Sequence, residues 1–91
     1  MLRVKITPHF EKRWNERGKF MESLGITIEK ILYYIHNPDL VLDDPLYPDR
    51  KYYVKRVEGR CLKVVVEHRE DILTPITVFF DRALRKKGIC G

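Results

Sequence analysis

Tyr52-Tyr53-Val54-Lys55-Arg56-Val57, then Glu58-Gly59, then Arg60-Cys61-Leu62-Lys63-Val64-Val65-Val66-Glu67-His68 is the stretch that decides the fold. Two runs rich in β-branched and aromatic residues flank a dipeptide built for a tight turn, the signature of an antiparallel hairpin. With a two-residue turn at Glu58-Gly59, Val57 opposes Arg60, Lys55 opposes Leu62 and Tyr53 opposes Val64. Side chains alternate across a sheet, so one face carries Tyr53, Leu62, Val64, Val66 and His68. The other carries Tyr52, Val54, Arg56, Lys63, Val65 and Glu67. A bulge at Gly59 would change this register.

Upstream of the hairpin, Leu2, Val4 and Ile6 alternate with Arg3, Lys5 and Thr7, which predicts a first strand. Thr7-Pro8 supplies a capping hydroxyl and a proline at the first helical position, and helix one runs from Pro8 to Arg17 with Gly18 closing it. Lys19 to Gly25 either extends that helix or packs as a loop. Thr27 caps a second helix whose stripe is Ile28, Ile31, Leu32 and Ile35, and Asn37-Pro38 ends it. Leu40 to Leu42 is a short strand, and Asp43 to Asp49, with Pro45 and Pro48, is a loop. Downstream, Glu70-Asp71 turns the chain into a last strand, Ile76 to Phe80, with Pro75 allowed at its start. The expected architecture is α+β: a strand, two helices, then an antiparallel meander of three to four strands, with two helices packed on one face of a single sheet and the other face partly open. Residues 1–81 form the single domain, and 82–91 a basic C-terminal tail or short helix.

A chain of 91 residues, 44% hydrophobic, has room for one modest core. Eighteen Lys and Arg against 13 Asp and Glu give a net charge of +5, which suits nucleic acid or an acidic protein partner. The basic residues concentrate in the hairpin, just after the acidic cluster Asp39, Asp43, Asp44 and Asp49. No apolar run is long enough to span a bilayer and the first residues carry charges, so a cytoplasmic protein without membrane attachment is expected. Cys61 and Cys90 match neither a paired-cysteine metal motif nor a disulfide framework; Cys61 is expected to pack as a small apolar residue and Cys90 to lie in the tail. The chain has no Gln, two Asn, one Ser and 34% charged residues, a bias of proteins from hot environments, where an intracellular disulfide is less surprising.

His9, Arg13 and Arg17, four apart on helix one, form a stripe suited to a phosphodiester, while Phe10 and Trp14 lie about 100° around the helix. The plain alternative is a solvated face paired with Glu11 and Glu16. RNA cleavage without metal needs a base for the 2′-hydroxyl, an acid for the leaving oxygen and cations for the phosphorane. His9 and His68 are the acid and base candidates, with Arg13 and Arg17 completing the catalytic set. Arg56, Arg60 and Lys63 are the nucleic-acid-binding cations, and Tyr53 is the stacking residue. Against these stand ordinary roles: His68 as a strand-end polar residue, His36 as a helix cap, the tyrosines as packing, and Arg82, Arg85, Lys86 and Lys87 as a solvated tail. No cofactor and no metal site are expected, since the three histidines lack ligand spacing.

The run His9-x3-Arg13-x3-Arg17-Gly18, with Ile26-Thr27-x-Glu29-x-Ile31, Asn37-Pro38, Tyr52-Tyr53, Gly59-Arg60-x-Leu62-x-Val64-Val65-Val66 and Ile76-Thr77-Val78, resembles small prokaryotic domains near the RelE/ParE-type toxin superfamily. The resemblance spans residues 6 to 81 and departs from the pattern at Lys19 to Gly25. It implies a toxin-like, RNA-binding protein, a metal-independent endoribonuclease of a toxin-antitoxin system, with RNA or the ribosome as target, an acidic antitoxin as partner and a homodimer as a further expected state. The alternative is a non-catalytic nucleic-acid-binding or protein-interaction module on the same scaffold.

Overall fold

The computed structural model describes residues 3–90 and is α+β. Its elements are β1 (Arg3–Val4), α1 (Pro8–Arg17), α2 (Lys19–Ser23), α3 (Ile28–His36), β2 (Leu40–Asp43), β3 (Arg50–Val57), β4 (Arg60–Arg69), β5 (Ile72–Phe80) and α4 (Arg82–Lys86). The sheet has five strands in the order β1-β5-β4-β3-β2. β1 is parallel to β5 and every other pair is antiparallel, so the sheet is mixed rather than a pure meander.

The hairpin forms in the register read from its turn: Val57 faces Arg60, Lys55 faces Leu62 and Tyr53 faces Val64. Glu58 and Gly59 both take positive φ, 53° and 71°, the two-residue turn whose twist matches that of its strands. A register shift does occur, but between Val65 and Val66 against β5. The last strand begins at Ile72, four residues before the expected Ile76, and encloses Pro75. Lys5 N–H donates to the Leu73 carbonyl, so odd-numbered positions here turn their backbone away from β4, and the missing N–H of Pro75 costs no ladder bond. The first strand shrinks to Arg3–Val4, and the part expected over Met1 and Leu2 lies outside the described residues.

Thr7 caps α1 and Thr27 caps α3, each hydroxyl accepting from the backbone N–H three residues on. Lys19–Ser23 is a separate short helix. Phe10, Trp14, Ile31 and Ile35 pack with Tyr53, Leu62, Val64, Val66 and Leu73, which seats α1 and α3 on one face of the sheet. Burying an aliphatic or phenylalanine side chain of this kind contributes about 1.5–3 kcal/mol.

The opposite face is partly open, as expected: α4 covers one part of it, packing Leu84 with Val54, Cys61 and Cys90, with Leu40, Leu42, Tyr52 and Ile89 alongside, while Phe79 on the same face stays 41% exposed. Cys61 and Cys90 form a disulfide, which overturns the expectation of two independent cysteines. A tail with apolar Leu84, Ile89 and Cys90 among its basic residues folds back because the second face of the sheet offers Val54 and Cys61 as cover. No helix is long and apolar enough to cross a membrane among the described residues.

Candidate nucleic-acid interface

Arg60 begins β4 on the helix-bearing face. Its guanidinium carbon lies 5.5 Å from the ring centroid of Phe20 and 5.5 Å from that of Phe80, and the two rings meet edge to face at 6.1 Å. A guanidinium over an aromatic face keeps its in-plane N–H donors free for a phosphate. Phe20 is 54% exposed, so its ring also meets solvent beside Arg60. Arg82 and Arg85 of α4 complete the wall of this cleft, which encloses about 490 Å³ with Cys61 and Asp81.

Asp81 does not cancel those charges, because it is already engaged. One carboxylate oxygen accepts from Leu84 N–H at 3.1 Å and caps α4; the other meets Lys63 Nζ at 2.7 Å. Burial pushes this carboxyl up, but the Lys63 hydrogen bond and the Leu84 N–H outweigh it and hold it below the ordinary carboxylate range. Lys63 is committed in turn, lying 4.2 Å from the Tyr52 ring and 4.7 Å from that of Phe79. Its place beside Val54 in the ladder puts it on the α4 face, so it is a structural cation.

A second cleft lies between α1 and β5. Arg13 and Arg17 line it with Phe10, Trp14, Gly18 and Met21 on one side and Ile76 to Phe79 of β5 on the other. Its volume is about 390 Å³. Glu11 and Glu16 do not pair with these arginines: the ion pairs among the described residues are Lys51–Asp43, Lys55–Asp39, Lys63–Asp81 and Arg69–Glu67. His9 is exposed on the first turn of α1 and lines neither cleft.

His68 stands elsewhere. It stacks on Tyr53 with ring centroids 5.6 Å apart, and its Nε2 shares a hydrogen bond with the Tyr53 hydroxyl at 2.9 Å. Burial, then the nearby charge of Lys51, lowers the imidazole below its ordinary value, and burial raises the Tyr53 phenol. Tyr53 is buried in the core, so it does not present a ring for base stacking. Eight residues of β4 separate His68 from Arg60, about 26 Å at the rise of a strand, and the two do not converge on one phosphate. Arg56 lies opposite Cys61 on the α4 face, exposed, its backbone N–H donating to Asp39 at 2.8 Å.

The residues singled out on helix one and in the hairpin fall on different parts of the molecule. Arg13 and Arg17 share one cleft, Arg60 heads the next, and Arg56, Lys63, Tyr53 and His68 belong to neither. Sequence reading missed Phe20 and placed Arg82 and Arg85 only in a basic tail, of a kind that can contact nucleic acid. The return of α4 brings those two arginines to Arg60, while Phe20 reaches it from α2. Among the described residues no three His, Cys, Asp or Glu side chains gather as metal ligands. No family model matches the chain, and neither a curated protein nor a solved structure matches it.

Proposed function

We propose that this chain is a toxin-like protein that binds single-stranded RNA in the cleft formed by Arg60, Arg82, Arg85, Phe20 and Phe80. The observation that carries this reading is the Arg60 guanidinium held beside two phenylalanine rings, with two further arginines in the same wall. Guanidiniums supply phosphate contacts, and an exposed ring supplies a sequence-tolerant stacking platform for an unpaired base. Binding is favoured over cleavage because, among the described residues, no imidazole lines the cleft and the one carboxylate there is tied to Lys63 and Leu84. The reading implies a cytoplasmic protein, and the Cys61–Cys90 bond then implies a hot environment, where intracellular disulfides persist.

The test is fluorescence anisotropy of a labelled oligouridylate in chelator, over a series of salt concentrations. Three phosphate contacts predict a slope of log K against log salt of about −2. Arg60→Ala, Arg82→Ala, Arg85→Ala together lower affinity at least tenfold and flatten that slope. Equal binding by the triple variant removes the cleft from the reading. Cleavage of the RNA by the wild-type protein in chelator, lost with His9→Ala and Arg13→Ala, would instead establish the metal-independent endoribonuclease.

A further inference from the structure

Beyond Leu73 the outer edge of β5 has no partner strand among the described residues, because β1 pairs only with Ile72 and Leu73. Helix α1 lies over that edge without closing on it, and the space left between them is the cleft of about 390 Å³. Asp81 N–H donates to the Cys61 carbonyl at 2.8 Å, which sets the phase of the β4–β5 ladder at this end. Backbone groups alternate sides along an antiparallel pair, so Thr77 and Phe79 bond toward β4 while Val78, which lines the cleft, turns its N–H and C=O outward. Such a backbone pair needs partners, and no strand of the sheet supplies them.

The lining selects what fits. The floor is apolar, from Phe10, Trp14 and Met21, and offers ring and thioether surface to the body of a ligand. The rim carries Arg13 and Arg17, one turn apart on α1, and neither takes part in an ion pair among the described residues. No carboxylate among the described residues lines the cleft to neutralise them. The volume falls within the range of small-molecule sites, about 300–1,000 Å³. An RNA strand answers only the two cations, since its charge recurs at every nucleotide and its bases need polar partners that an apolar floor lacks. A bare inorganic anion leaves the floor wet. A compact aromatic ring with one carboxylate answers both features: the carboxylate accepts guanidinium N–H bonds and the ring covers the floor.

We propose that the α1–β5 cleft binds a small aromatic carboxylic acid, with its carboxylate on Arg13 and Arg17 and its ring between Trp14, Met21 and the Val78 edge of β5. The site shares no lining residue with the RNA cleft, so the two readings stand or fall independently.

The experiment is titration of the isotope-labelled protein with benzoate, a naphthoate and indoleacetate, followed by NMR at the backbone amides and at the indole N–H of Trp14, the chain's one tryptophan. The expected result is saturable binding of at least one acid, with shifts centred on Ile76 to Phe79 and the Trp14 indole. The carboxamide of the same acid, which keeps the ring and loses the charge, binds at least tenfold more weakly. Acetate, which keeps the charge and has no ring, shifts none of these signals. The variant Arg13→Gln, Arg17→Gln, confirmed as folded by its thermal unfolding, binds the acid at least tenfold more weakly and the carboxamide unchanged. Absence of saturable shifts with all three acids, equal binding of acid and carboxamide, or shifts centred elsewhere would overturn the proposal. Displacement of the acid by oligouridylate would also overturn it, by giving the cleft to nucleic acid.

Discussion

Gly18 shows how a single residue serves a different purpose from the one its position suggests. After a helix, glycine is commonly read as the residue that reverses the chain with positive φ. Here φ is −81°, open to any residue, and the chain continues into α2. What glycine provides is space: a Cβ at this position would stand 2.5 Å from the Trp14 carbonyl oxygen and 2.9 Å from two indole carbons. Backbone cannot yield as a flexible side chain does, so Gly18→Ala is expected to destabilise the domain by about 1–3 kcal/mol. Urea denaturation monitored by Trp14 fluorescence checks this, and a neutral or stabilising outcome would show that the α1–α2 corner opens without cost. Lys63 illustrates the same point for charge. A strand lysine reads as a phosphate ligand until its neighbours are known, and Asp81 at 2.7 Å leaves it no such role.

α4 is the element that most changes the molecule. Five helical residues have little stability alone, since helix nucleation is unfavourable and isolated short helices do not persist in water. Three contacts hold α4 in place: the apolar cluster around Leu84, the Asp81 cap with its Lys63 ion pair, and the bond from Cys61 to Cys90. The disulfide joins residues separated by 29 positions. Loop-closure entropy for such a span gives about 3–4 kcal/mol through restriction of the unfolded chain. The double substitution Cys61→Ser, Cys90→Ser is therefore expected to lower stability by an amount of that order. It should also speed amide exchange in α4 before the central strands open. Thermal and urea unfolding of the variant beside the oxidised wild type measure the first effect. Loss confined to the sheet, with α4 unchanged, would contradict this account of the clamp.

The whole molecule should feel pH through His68 before it feels it through its carboxylates. The folded imidazole titrates below its ordinary value near 6.5, so as pH falls the unfolded chain takes up its proton first. The contribution of His68 to stability is thus fully present above pH 6.5 and is lost as pH falls through its lowered folded value. Asp39 and Asp81 are likewise held below 3.8, Asp39 chiefly by the Arg56 N–H, and their contributions disappear only at more acid pH. Urea unfolding at pH 7.5, 6.5 and 5.5 should show declining stability across that range, with a flatter profile for His68→Gln. Stability that rises toward pH 5.5 would reverse the sign and reject it. The sequence by itself determined what local chemistry controls: the Glu58-Gly59 turn and with it the register of β3 and β4, the caps Thr7 and Thr27, and the apolar stripes that seat α1 and α3. Period and turn type are set by neighbours a few residues apart, which is why these were legible. Only the tertiary structure decided that β1 joins β5, that Cys61 meets Cys90, and that Arg60 shares a wall with Arg82 and Arg85 while His68 stands at the other end of its strand. Those pairings span roughly twenty to seventy residues of chain, and they are fixed by burial of the two faces of one sheet, a condition that no short stretch of sequence carries alone.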